Sequence, residues 1–221
     1  MFKIQWVLGN TKLKKTKYKI IGFGIPADYE FSGGNTCPGA NACKGVCYAK
    51  QGMYLTPQVR TARLRALKQT VRTTFVKYVI SDIENYFNGK YNAIRIHDSG
   101  DFYSQEYLDK WKEIAKEFPK IKFYAYTKAL HLDLYTNKPK NFHIIQSLGG
   151  KYDKKVDLTK PHSRIFSDHE TRIKNGYVNG TESDTPALTG KIKIGLVYHG
   201  NKNMTESQRK YFKLPVVQND R

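Results

Sequence analysis

The three cysteines of the chain lie within eleven residues, Cys37-Pro-Gly-Ala-Asn-Ala-Cys43-Lys-Gly-Val-Cys47, a C-x5-C-x3-C spacing. Thiols clustered this way in an intracellular chain favour a metal over a disulfide. Soft thiolate selects zinc or an iron–sulfur cluster, and the intervening Gly and Pro residues let a loop fold around an inorganic core. Three ligands leave one position for another side chain, for water or for a small-molecule ligand. With zinc, a histidine such as His97 completes a four-coordinate structural site. Unliganded structural cysteines are the plainer alternative. Lys44 and Lys50 are expected to offset thiolate charge and lower the thiol pKa values.

A second set of polar residues recurs at the ends of short apolar runs: His97-Asp98-Ser99-Gly100-Asp101, Tyr126-Thr127-Lys128, Gln146-Ser147, Ser167-Asp168-His169-Glu170 and Tyr198-His199-Gly200. His97 can transfer a proton or ligate a metal, and Asp98 or Asp101 can orient it or bind a cation. His97, Asp98, Asp101 and Lys128 are therefore the candidate catalytic residues. The bland reading of Asp-Ser-Gly-Asp is a strand-to-helix turn with Asp101 or Ser104 as the cap. Tyr48, Tyr54, Phe102, Tyr103 and Tyr124 can stack on bases, or simply fill a core.

These residues need a frame. Strands are expected at residues 18–26, 93–96, 121–126, 142–145, 164–166 and 192–198. Thr56-Pro57 opens a helix whose stripe of Leu64, Leu67, Val71, Phe75, Tyr78 and Val79 runs to Asn88-Gly89. Ser104 opens a second, with Tyr107, Leu108, Trp111, Ile114 and Ala115 on its core face, and 206–212 closes the chain as a short third. Residues 175–190 read as an exposed loop. Strands alternating with helices give an α/β fold of parallel units. About six mainly parallel strands are too few for eight, so a partial or distorted (β/α) barrel is expected, in one domain over 1–221. Sites in such folds gather beyond the carboxyl ends of the strands, and the cysteine loop follows the first of them.

The runs Thr36-Cys37-Pro38-Gly39-Ala40 to Cys43, Cys47-Tyr48-Ala49, Arg95-Ile96-His97-Asp98-Ser99-Gly100-Asp101-Phe102-Tyr103, Trp111 and Phe123-Tyr124-Ala125-Tyr126-Thr127-Lys128 together resemble the phage gene-product-88 family. That family also looks distantly similar to phage proteins with a radical-SAM-like partial barrel. The resemblance implies a phage or prophage protein with an iron–sulfur cluster, of the 4Fe–4S type, on Cys37, Cys43 and Cys47. Radical SAM enzymes use C-x3-C-x2-C, and no Gly-Gly-Glu run follows the second strand here. Both departures count against S-adenosylmethionine. With no further cysteine, a second cluster is excluded.

Charge adds a partner class. The 221 residues carry 38 Lys and Arg against 19 Asp and Glu, net +19, and no carboxylate side chain occurs between Glu30 and Asp82. Lys12, Lys14, Lys15, Lys17 and Lys19, then Arg60, Arg63, Arg65, Lys68, Arg72 and Lys77, supply most of the early excess. Such a field attracts nucleic acid or another polyanion, with Arg65, Lys68 and Arg72 on one helix face. It equally suits an anionic cluster or simple solubility. No apolar run is long enough for a membrane span, and the first residues lack a secretory signal, so the expected location is the cytoplasm, of the host if phage-encoded. The leading expectation is an iron–sulfur protein with a basic surface and a small-molecule ligand at an open iron. The alternatives are a non-catalytic nucleic-acid-binding or redox-sensing protein with a structural cluster or zinc, and a zinc-stabilised interaction module.

Overall fold

The computed structural model describes residues 3–8, 11–87, 89–198 and 205–212. Apolar runs of four to six residues form the main strands, joined by amphipathic helices. In chain order the elements are β1 (Trp6–Val7), α1 (Thr11–Lys14), β2 (Ile20–Phe23) and a small hairpin, β3 (Glu30–Phe31) with β4 (Gly34–Asn35). Three 3-10 turns follow (Ala42–Val46, Tyr48–Lys50, Gly52–Leu55), then α2 (Pro57–Thr70), α3 (Phe75–Asp82), β5 (Ala93–Ile96), α4 (Gln105–Glu117), β6 (Lys122–Thr127) and β7 (Phe142–Ser147). The chain continues through β8 (His162–Phe166), α5 (His169–Lys174), β9 (Val178–Asn179), α6 (Thr185–Leu188), β10 (Lys193–Val197) and α7 (Glu206–Phe212).

Eight strands form one sheet in the order β1-β2-β5-β6-β7-β8-β10-β9. Only β1 is antiparallel to its neighbour. From β2 to β8 the order in space follows the order in sequence, the winding of a barrel. The edge strands β1 and β9 do not meet, so the barrel stays open. All six expected strands form. The sequence offers no sign of β1 and β9, because two residues carry no periodicity.

Alternation along the strands separates two layers. Ile94, Ile96, Phe123, Ala125, Phe142 and Ile144 face α3 and α4 in the larger core, which centres on Phe23, Phe75, Tyr107 and Trp111. Ala93, Tyr124, Ile145 and Ile194 face the other way, toward Ala187 and Leu188 of α6. Ser104 caps α4 by accepting the Tyr107 N–H, and the five predicted core residues of α4 are all buried.

Two sequence expectations need correction. The single long helix after Thr56 is broken: α2 stops at Thr70 and α3 begins at Phe75. Val71-Arg72-Thr73-Thr74 is rich in β-branched residues, and the Thr70 hydroxyl donates back to the Leu67 carbonyl, an alternative to helix continuation. Val71, assigned to the apolar stripe, is exposed; beyond Asp82 the chain turns as a π-helix over Ile83–Phe87, and Asn88 lies outside the described residues. Residues 175–190 are not a plain surface loop either. They supply β9 and α6, and Asp184 among them is completely buried.

Candidate functional site

The cysteine loop is fastened by its backbone to the carboxyl ends of β6 and β7. Ala40 bridges Gly150, the Cys43 N–H donates to the Gly149 carbonyl at 3.0 Å, and the Lys151 N–H donates to the Gly39 carbonyl at 2.8 Å. The loop glycines serve this docking. Gly149 has φ 93°, and a Cβ there would meet the Tyr211 ring at 2.3 Å. Helix α7, which carries Tyr211, packs on the Ala42–Val46 turn.

All three cysteines are free thiols, partly buried. Cys43 and Cys47 both raise the Cys37 pKa slightly, and Cys43 raises that of Cys47. Burial, then the Asp101 carboxylate, are the main causes that push the Cys37 thiol up to about 12. Burial also raises Cys47, against an N–H from Ala49. Lys50 does lower the Cys47 pKa as expected, but burial outweighs it, and both thiols end above their ordinary value. Lys44 and Lys50 are ion-paired with Asp28, at 2.8 and 2.7 Å, and the Asp28 N–H donates to Cys37 Sγ at 3.2 Å.

Among the described residues, no group of three or more His, Cys, Asp or Glu side chains could hold a metal ion. Zinc would need its thiolates drawn to about 2.3 Å from one point. A cluster brings its own inorganic core and takes thiolates from a wider spacing, and N–H bonds to its sulfurs tune it. The three partly buried thiols of this one loop, with the Asp28 N–H on Cys37 Sγ, are the donors such a cluster would use.

Asp101 and Lys128 belong to this assembly. Asp101 is buried and fully bonded: Oδ1 accepts from the Phe102 N–H at 2.8 Å and the Thr127 hydroxyl at 2.6 Å, and Oδ2 accepts from the Lys128 N–H at 2.8 Å. Its own N–H reaches the Thr36 carbonyl beside Cys37 at 2.8 Å. It is a brace between strand ends, not the helix cap, and burial raises its pKa. The Lys128 ammonium donates to the Ser147 hydroxyl. Burial works against its charge, but Cys43, Tyr211, Asp101 and Asp153 outweigh this and hold the proton more firmly than usual.

His97 and Asp98 lie apart from the thiols and from each other. His97 has φ 64°, and this left-handed turn sends its ring between Phe102 and Tyr107 instead of to the Arg95 side. Its Nε2 pairs with the Tyr107 hydroxyl at 3.0 Å, and burial, then Arg95, depress its pKa to about 3. Neither aspartate orients it, and it is no fourth ligand in this arrangement. Asp98 takes Arg63 at 2.5 Å and the Tyr54 hydroxyl at 3.1 Å, while the Tyr48 hydroxyl donates to its carbonyl. Burial raises the Asp98 pKa against Arg63 and Arg95. Phe102 and Tyr124 are fully buried and present no ring to a base. His199 and Gly200 lie outside the described residues.

Sequence reasoning missed a polar cluster on the inner face of the sheet. Asp184 pairs with Arg95 at 3.1 Å and Lys12 at 2.8 Å, and accepts from the Tyr124 hydroxyl at 2.7 Å. Burial would raise its pKa, but Arg95 and Lys12 hold it below the ordinary carboxylate range. Lys12 is therefore half-buried and tied to an interior carboxylate, which takes it out of the free surface field. Arg95 and Tyr124 are partners in register, both on the alternate positions opposite the larger core. An arginine inside the apolar run Ala93–Ile96 was the available signal; Asp184, within a loop-like stretch, carried none.

The sequence profile of the gene product 88 family matches residues 3–212. The chain belongs to this family. It is 26% identical over 211 residues to the "Gene 88 protein" of Mycobacterium phage D29, covering 85% of this chain and 86% of that protein. To the "Gene 88 protein" of Mycobacterium phage L5 it is 27% identical over 121 residues, covering 51% and 49%. Both relatives are phage proteins, in keeping with the phage origin that the motifs imply. No solved structure matches the chain.

The basic surface of this gene product 88 family member has two parts. Arg65, Lys68 and Arg72 are exposed on and just after α2. A separate groove of about 600 Å³ runs between β1, α1 and the amino ends of β2 and β5, lined by Lys14, Lys17, Lys19 and Lys90 with Tyr18 and Tyr91. Lys17 and Lys90 stand 5.8 and 5.5 Å from the centres of the Tyr18 and Tyr91 rings. Among the described residues, no helix is long and apolar enough to cross a membrane.

Proposed function

We propose that this gene product 88 family protein carries an iron–sulfur cluster, of the 4Fe–4S type, on Cys37, Cys43 and Cys47. The observation that carries the reading is three partly buried, unpaired thiols in one loop docked by its backbone on the strand ends, with the Asp28 N–H donating to Cys37 Sγ. When bound, the cluster supplies electron transfer, or an iron open to a small ligand because the chain offers only three cysteines. The Lys128 side chain, packed against Gly39 and Gly150 of the docked loop and held by Ser147, would offset the charge of the bound group. Asp101 positions Cys37 through Thr36 and Lys128 through its N–H. S-adenosylmethionine is no part of the proposal.

Anaerobic purification followed by iron and sulfide analysis, absorption near 400 nm and EPR tests this reading. Iron and sulfide that disappear in Cys37→Ala are the expected result. A colourless protein with stoichiometric zinc overturns it and leaves the zinc-stabilised module.

A second reading, contact with nucleic acid, rests on the groove. Four lysines interleaved with two tyrosines combine phosphate contacts with flat surfaces for bases. This contact is compatible with a catalytic or a purely redox-sensing cluster.

A further inference from the structure

A cavity of about 540 Å³ lies between the turns that follow Cys43 and the inner face of the sheet. That volume suits a small organic molecule. Val46, Ile165, Leu196 and Val197 give it apolar walls, and Arg95 with Lys12 forms a polar end. Tyr48 and Met53, which also line it, are exposed, Met53 by 72%.

Arg95 is only 7% exposed, yet its bonding is incomplete. Nη1 donates to Asp184 at 3.1 Å, Nη2 reaches the Tyr48 hydroxyl only at 3.5 Å, and the buried Nε has no partner among the described residues. Nε and Nη2 share the edge of the guanidinium that grips an oxyanion through two parallel bonds. A buried N–H without an acceptor is costly, and a ligand oxygen would satisfy it. Lys12 and Arg95 both pair with the carboxylate of Asp184 at this end of the cavity.

We propose that the cavity binds a small organic anion, an apolar or aromatic body with one carboxylate or phosphate group, whose oxygens sit on the Nε–Nη2 edge of Arg95. The body lies against Val46, Ile165 and Leu196. Neither contact requires the cluster.

Isothermal titration of the full chain with naphthalene-2-carboxylate, 2-naphthyl phosphate and uncharged 2-naphthylmethanol tests this, on protein as purified and after chelation with the thiols reduced. At least one anion should bind saturably and roughly tenfold more tightly than the alcohol; the tighter of the two identifies the oxyanion. Arg95→Lys keeps a charge opposite Asp184 but removes the two-donor edge, and should weaken the anions roughly tenfold while leaving the alcohol unchanged. Leu196→Trp fills the cavity and should abolish binding of all three; with the alcohol comparison it decides the matter if Arg95→Lys does not fold. Equal affinity for the alcohol, unchanged binding in Leu196→Trp, or no saturation at millimolar probe overturns the proposal. So does binding that vanishes on chelation, since the oxyanion would then be held by iron. A failed cluster assignment shows in the iron content instead and leaves these outcomes intact.

Discussion

The backbone of Gly39 lies directly against the carbonyl of Lys128: a Cβ on Gly39 would fall 2.0 Å from that oxygen. The cysteine loop and the end of β6 are therefore in backbone contact, and the position of Cys37 and Cys43 depends on the absence of a single side chain between them. No flexible group stands there to give way.

Gly39→Ala should accordingly push the loop off the strand ends. The expected outcome is a destabilisation of about 1–3 kcal/mol, as for overpacking elsewhere, and, for the proposed cluster, loss of most of its iron. Iron content and thermal melting of the variant check it. Full iron occupancy with an unchanged melting temperature would mean that the loop does not need this close approach.

Asp184→Asn should be far more damaging than its loop-like sequence suggests. It leaves the buried Arg95 and the half-buried Lys12 without this carboxylate, a loss of about 3–5 kcal/mol for a broken buried pair. Urea unfolding at neutral pH measures it. The pair also sets an acid limit: the folded pKa of Asp184 is depressed, so its contribution is complete above the ordinary carboxylate value of about 3.9 and fades as pH falls through the folded value.

His97 gives a second, separable pH dependence. Buried among aromatic rings, it takes a proton only near pH 3, whereas an unfolded histidine does so near 6.5. Between these values the unfolded chain binds the extra proton, so stability falls with falling pH by about 1.4 kcal/mol per unit from this residue, and its contribution is complete above 6.5. Asparagine tolerates the left-handed backbone of position 97. His97→Asn should therefore fold and show a shallower decline between pH 6 and 4. An identical slope would mean that the histidine is not kept neutral.

Nucleic-acid binding, if carried by the groove, should weaken steeply with salt. Replacing Lys14, Lys17, Lys19 and Lys90 by alanine should lower both affinity and the slope of log K against log salt, by about 0.7–0.9 for each phosphate that is no longer neutralised. An Arg65, Lys68 and Arg72 triple alanine variant is the comparison. A larger effect there would return the interaction to α2, and salt-insensitive binding in the parent protein would refute phosphate recognition at either surface. Fluorescence anisotropy with labelled single-stranded DNA at several salt concentrations supplies the readout.

Residue order alone was enough to locate the six main strands, the alternation of strand and helix, and the cysteine loop after the first long strand. These follow from local periodicity and from turn residues, which act over a few positions. In the folded chain, alternation along β5 and β6 places successive residues in the two layers. His97 departs from that alternation, because one left-handed residue reverses the direction of a side chain without altering the pattern of residue types. The partners, by contrast, came only with the folded arrangement. The pairing of Lys12 and Arg95 with Asp184 spans up to 172 positions, the approach of Gly39 to Lys128 depends on where two loops cross, and the raised thiol pKa values reflect burial that no local pattern records.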